Sequence, residues 1–327
     1  MNRVKYISSV FLRMLSLLIG VSIISFILVT NSPIDPLTSY IGAESTFSVE
    51  AKEEIAEHWG LNDPPLERFA SWGKNVLKGD FGTSITYKQQ VSTVILERFK
   101  YSIVLMLVAW CFSGIVGFLI GILAGIYKGS LFDKIIKIFC LALQSAPTFW
   151  IGLLILSLFS VYLGWFPIGF AVPMGKLSLE ITIWDRIYHL ILPALTLSIL
   201  GISRVTLFTR QKLIEILNSD FILFAKARGE NTRQLVIRHG LRNIALPAIT
   251  EQFASFSELF GGIALAETVF SYPGLGTATT AAGLNGDVPL LLGIAIFSAI
   301  FVFVGNFIAN ILYGVLDPRL KEGKYNG

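Results

Sequence analysis

Charge is what this sequence has least of. Only 15% of its 327 residues are Asp, Glu, Lys or Arg, while 54% are hydrophobic. An ordinary soluble domain carries about a quarter charged residues. A chain this apolar cannot cover its exterior with polar groups, so part of its solvent must be lipid. Cysteine is nearly absent as well: Cys111 and Cys140 are the only two. Both fall inside apolar runs, which excludes a disulfide scaffold and leaves too few thiols for a structural zinc site. No G-x-x-x-x-G-K-[ST] phosphate loop occurs, nor H-E-x-x-H, nor G-x-S-x-G. The chain therefore lacks the motif needed to hydrolyse ATP itself, and nothing supports a membrane-embedded hydrolase.

What is present is a series of long apolar runs. Six stretches of about 20 residues can each span a hydrocarbon core of roughly 30 Å: about 7–30, 101–126, 138–162, 187–207, 244–266 and 289–316. The fold class expected is all-α, a polytopic bundle of six transmembrane helices. The first run follows Arg3 and Lys5 as a signal peptide would, but it is longer than an h-region and lacks a small-residue cleavage site. It reads as a retained anchor. Pro147 falls in the third run; His189, Pro193 and Arg204 weaken the fourth; Glu251 and Glu258 interrupt the fifth. Gly114, Gly117, Gly121 and Gly125 recur at the spacing that lets helices pack closely. Trp72, Tyr162, Trp165 and Tyr272 suit interfacial belts.

A net charge of +4 could serve a nucleic-acid binder, but the basic residues sit between apolar runs rather than on a soluble face. They set orientation instead. One alternating set of gaps holds the N-terminus, 128–137, 204–242 and the tail, with 17 of the 26 Lys and Arg against 6 of the 22 acids. By the positive-inside rule this set is cytoplasmic, with both termini inside. His189 and His239 then lie on opposite sides of the membrane, which makes a shared metal site unattractive. Residues 31–100 face outward and contain the acidic stretch Glu50, Glu53, Glu54 and Glu57, read as a surface helix, ending at the breaker Asn62-Asp63-Pro64-Pro65.

The cytoplasmic segment from Asp220 to Pro247 is the most informative. A helical pattern runs to Gly229, the residue a helix C-terminus favours. Asn231 and Thr232 can cap a second helix. Small Ala225, Ala227 and Gly229 at the bend would allow close approach to a groove on another protein, and Arg238 and Arg242 flank it. On the residues alone, an ordinary basic loop beside the membrane remains an equal alternative.

That segment resembles the coupling loop of binding-protein-dependent ABC importer permeases, and within them the peptide and nickel branch. Three further stretches agree: Gly79-Asp80-Phe81-Gly82-Thr83-Ser84, Glu267 to Gly276 with its Pro273-Gly274-Leu275-Gly276, and Asp317-Pro318-Arg319. Leu223 and Phe224 depart from the pattern, standing where the wider family has a glutamate and its first alanine. The resemblance implies a type I importer transmembrane domain over 96–316, with the coupling loop at 204–243. An anchor helix and extracytoplasmic loop (1–95) precede it, and a cytoplasmic tail (317–327) follows. It implies a prokaryotic cell-membrane location, a homologous second permease and two ATPase subunits, which alone would bind ATP. An extracytoplasmic binding protein would deliver peptides or nickel chelates. This chain would hold no cofactor or metal, catalyse no reaction and bind no nucleic acid. Ala225, Ala227, Gly229, Arg238, Leu246 and Pro247 would form the ATPase-coupling loop.

Intramembrane acids add a second candidate site. From Leu246, a rise of 1.5 Å per residue puts Glu258 about 18 Å into the membrane. Glu251, Ser255, Glu258 and Gly262 would share one face of a continuous helix. A carboxylate at that depth must face protein or water. The face is expected to line the translocation path and meet a cationic group. A structural ion pair stays open as the alternative, as does an ion-coupled secondary transporter using Glu258.

Overall fold

Helices form wherever the apolar runs were read, yet one run is sharply bent and another is divided at a single residue. A computed structural model describes residues 3–31, 53–54, 57, 63–177 and 179–316. The Asp317-Pro318-Arg319 motif, the tail and Glu50 lie outside the described residues. The described elements are α1 (Arg3–Thr30), α2 (Pro65–Leu77), α3 (Val91–Ile126), α4 (Leu131–Ser145), α5 (Thr148–Leu156), α6 (Ile183–Leu217), α7 (Asp220–Ala227), α8 (Thr232–Gln234), α9 (Leu241–Ala254), α10 (Phe256–Val269), α11 (Leu275–Leu284) and α12 (Val288–Leu316). Single π-helical turns extend α5 over Ser157–Tyr162 and join α8 to α9 over Leu235–Gly240.

Among the described residues, α3, α6 and the Val288–Ala309 part of α12 are long and apolar enough to cross a membrane, each as one helix. The third run does not. Pro147 has no N–H to continue the ladder, and α4 meets α5 at a bend of 109°. The fifth run divides at Ser255 into α9 and α10, each of 14 residues. Ser255 N still donates to the Glu251 carbonyl and Leu259 N to the Ser255 carbonyl, both at 3.1 Å, so the helical path runs through the division. The fourth run is longer than expected, since α6 continues to Leu217. Arg204 therefore lies within the helix rather than opening a loop.

The chain forms two compact units, Met1–Ser102 with Pro273–Phe303, and Ile103–Tyr272 with Val304–Gly327. In the first, the Gly79–Ser84 motif folds as a turn with Gly79 at φ +86° and Gly82 at φ +82°. The fully buried Asp287 pins that turn to the start of α12. Its carboxylate accepts from Ser84 Oγ at 2.6 Å, Thr86 N at 2.9 Å and Leu290 N at 3.2 Å. Leu275 N donates to Ser102 Oγ at 2.8 Å, capping α11 onto α3.

In the second unit, α6 is the centre. A Cβ on Gly117 would stand 2.8 Å from Val205 Cβ, and one on Gly121 would stand 2.7 Å from the Thr206 carbonyl oxygen. The glycine row thus serves close packing of α3 on α6, and Thr206 Oγ1 donates to the Gly117 carbonyl at 3.2 Å. Trp110 and Gln252 exchange side-chain-to-backbone hydrogen bonds between α3 and α9, at 2.9 and 2.6 Å. Asp133 is buried at the start of α4 and takes a bidentate hold from Arg210 of α6, at 2.5 and 2.8 Å. Tyr272, placed at an interface by the sequence reading, is buried instead.

Candidate functional site

The hairpin between α7 and α9 is built from local chemistry. Helix α7 ends in a Schellman motif: Gly229 N donates to the Lys226 carbonyl at 2.9 Å, and Glu230 N to the Ala225 carbonyl at 3.2 Å. This closure needs a left-handed residue, and Gly229 supplies φ +88°. A Cβ at Gly229 would meet nothing within 4 Å, so backbone conformation rather than crowding demands the glycine. Asn231 then opens α8 with a capping box. Its side chain accepts from Gln234 N, and the Gln234 side chain accepts from Asn231 N, both at 2.9 Å. Glu230 and His239 meet at 3.1 Å across the turn.

The residues expected to couple to an ATPase are sorted by this geometry. Ala225 is buried against Ile222 and Leu235, so it holds the hairpin together and does not face outward. Ala227, Gly229 and Arg238 are exposed, whereas Leu246 and Pro247 lie half-buried inside α9. The outward apolar face belongs to Phe221, Leu223 and Phe224, the last 74% exposed. Leu223 and Phe224 are the two positions that departed from the family pattern. Sequence reasoning missed them as surface, although i, i+1 neighbours beside a buried Ile222 and Ala225 must point away from the core.

A second site lies where helices are broken. A cleft of about 220 Å³ is bounded by Gln144 and Thr148 on either side of the Pro147 bend, by Leu197, Leu200, Gly201 and Arg204 of α6, and by Ser255, Glu258, Leu259 and Gly262. Three of the four residues expected on the path are thus brought together, and Glu251 is not among them. Glu251 lies one turn before Ser255, on the α9 side of the division, and does not line the cleft. Arg204 and Glu258 form an ion pair in this cleft. Arg204 was missed as a site residue, although a cation in one apolar run and an acid in another are natural partners. Neither sequence-noted histidine is near: His189 Nδ1 sits 2.8 Å from the Gly169 carbonyl, and His239 pairs with Glu230.

Comparison with known proteins agrees with this architecture. Residues 117–322 match the family described as binding-protein-dependent transport system inner membrane component. The chain is 35% identical over 311 residues to the oligopeptide transport system permease protein AppB of Bacillus subtilis, covering 95% of this chain and 97% of that one. It is 32% identical to the di/tripeptide transport system permease protein DppB of Pseudomonas aeruginosa, covering 95% and 98%. It is 30% identical to the dipeptide transport system permease protein DppB of Escherichia coli K12, covering 94% and 95%. Apolar spans, a bent span and a hairpin closed by local bonds are thus the parts of a multi-pass membrane protein, and the chain belongs to the binding-protein-dependent transport system inner membrane components.

Proposed function

We propose that this chain is one of two membrane-spanning subunits of an ATP-driven importer for peptides. A homologous permease would complete the path, two separate ATPase subunits would bind the ATP, and an extracytoplasmic binding protein would deliver the solute. Both termini would be cytoplasmic. The relatives reported above are named for peptides rather than nickel, which favours peptides as cargo.

The observation that carries this reading is the hairpin. Its turn is closed by backbone and capping bonds at every step, so it behaves as a rigid knob. Phe221, Leu223 and Phe224, exposed together on that knob, form an apolar face suited to a partner. Arg228, Arg233 and Arg238 are exposed on the same hairpin and would pair with acids at the rim of an ATPase groove. Ala227 and Gly229 would lie against that groove, while Ala225 acts from inside the hairpin. Ser255, Glu258 and Gly262 would line the path, and Glu251 would act at most before it. Glu258 is already paired with Arg204, and the relatives are named as permeases of peptide transport systems, which favours the importer over an ion-coupled carrier.

The test is a pull-down of the assembled, detergent-solubilised permease. Wild type should bring down an ATPase subunit with activity, and a Leu223→Asp/Phe224→Asp double variant should lose it. Absence of any ATPase with the wild type would sink the proposal.

A further inference from the structure

The cleft holds two charges and little else that is charged. Of its lining residues only Arg204 and Glu258 carry charge, and they are paired with each other. Their side chains stay 41% and 63% exposed, so a ligand can reach both. The Asp133–Arg210 pair behaves otherwise, with side chains 1% and 12% exposed; it is sealed as a strut would be. The cleft also sits where α4 meets α5 at Pro147 and where α9 gives way to α10 at Ser255. Interrupted membrane helices are where transporters place their cargo.

Charge accounting then selects the cargo. An ion pair that opens loses its mutual attraction unless each partner finds a replacement charge. A singly charged ligand would satisfy one of Arg204 and Glu258 and strand the other. A ligand carrying both an ammonium and a carboxylate satisfies both, so the exchange leaves no unpaired charge. An extended dipeptide spans about 7 Å, and a cleft of about 220 Å³ is below the ~300–1,000 Å³ of drug-sized sites. Its size suits the charged main chain of a short peptide rather than a long one.

We infer that Arg204 and Glu258 form a transit site for zwitterions, a reading that rests on the proposed peptide path. Arg204 donates to the ligand carboxylate, the ligand ammonium donates to Glu258, and the two side chains re-pair when the ligand leaves. The side chains of Gln144 and Thr148 supply neutral hydrogen-bonding groups beside them.

The test uses the assembled complex with Cys111→Ser, Cys140→Ala and a reporter Gly262→Cys, where a Cβ would meet only Leu197 Cδ1 at 3.7 Å. The rate of N-ethylmaleimide labelling is measured with alanylalanine, its N-acetyl form, its amide and its doubly blocked form. Alanylalanine should slow labelling about tenfold, the scale of hydrogen bonds to charged groups, and the doubly blocked form should not. Glu258→Gln should make the N-acetyl form the protecting ligand, and Arg204→Gln should make it the amide. A strut could not invert selectivity in this way. Equal protection by all four forms, protection by none, or an unchanged pattern in both variants would overturn the inference. ATPase co-purification from the same preparation reports separately on the importer reading. If a variant fails to assemble, the wild-type contrast between free and doubly blocked dipeptide decides.

Discussion

The α7–α9 hairpin and the Arg204–Glu258 cleft are built by opposite means. Every bond that shapes the hairpin joins near neighbours in sequence: Gly229 to Lys226, Glu230 to Ala225, Asn231 to Gln234, Glu230 to His239. The cleft is assembled from parts that sequence separates widely, namely the Pro147 bend, Arg204 on α6 and Glu258 on α10. Local closure gives a preformed body that can be pushed without deforming. Long-range assembly at broken helices gives a space whose walls can part.

If long-range pairs carry the frame around the cleft, breaking one should cost most. Asp133→Ala strands Arg210 in a nearly closed site and is expected to cost about 3–5 kcal/mol, read as a drop in the melting temperature of the assembled complex. Asp133→Asn with Arg210→Gln should cost clearly less, because no charge is left alone. Equal losses would mean that Asp133 contributes volume rather than charge. Next in size is the glycine row. Gly121→Ala drives a Cβ to 2.7 Å from the Thr206 carbonyl oxygen, and overpacking of this kind costs about 1–3 kcal/mol. A melting temperature equal to wild type would show that α3 and α6 can separate freely, contrary to the packing described.

The hairpin should yield smaller and separable effects. Gly229→Ala must hold φ +88° with a Cβ, at about 1 kcal/mol. Asn231→Ala loses the cap, again about 1 kcal/mol. Both should leave α6 and the cleft intact, as judged by unchanged labelling of the Gly262→Cys reporter. A hairpin variant that altered that labelling as strongly as Arg204→Gln would erase the distinction drawn between the two regions.

The same contrast explains what could be read from the sequence. The hairpin was legible because a glycine after a helical pattern and an Asx cap before the next one are local signals with local causes. Its outward face was not, because Leu223 and Phe224 look like core until Ile222 and Ala225 are seen to fill it. Pro147 was visible in its run, but the 109° bend is fixed by packing of α4 and α5 on α6. The division at Ser255 has neither proline nor glycine at it, and helical hydrogen bonds run on through it, so periodicity reads straight across; Glu251 nonetheless falls outside the cleft. Arg204 was assigned to a loop because charge normally ends an apolar run. It does not end one when a partner such as Glu258 waits on a neighbouring helix.

The smallest expected effect on the fold is the most telling for function. Phe224 is 74% exposed and makes no part of the Ile222–Ala225–Leu235 cluster. Phe224→Ala should therefore change the stability of the permease by no more than about 0.5 kcal/mol. An aromatic covered at the centre of an interface behaves differently, and its truncation costs about 2 kcal/mol or more of binding. Capture of the ATPase should then weaken by roughly 30-fold, measured as retention on immobilised complex across an ATPase titration. Melting and labelling should match wild type. A ring so exposed on so rigid a turn has no use within this chain; if its loss left ATPase capture unchanged, the partner's groove would have to engage Ala227 and the arginines instead, and the apolar face would need another occupant.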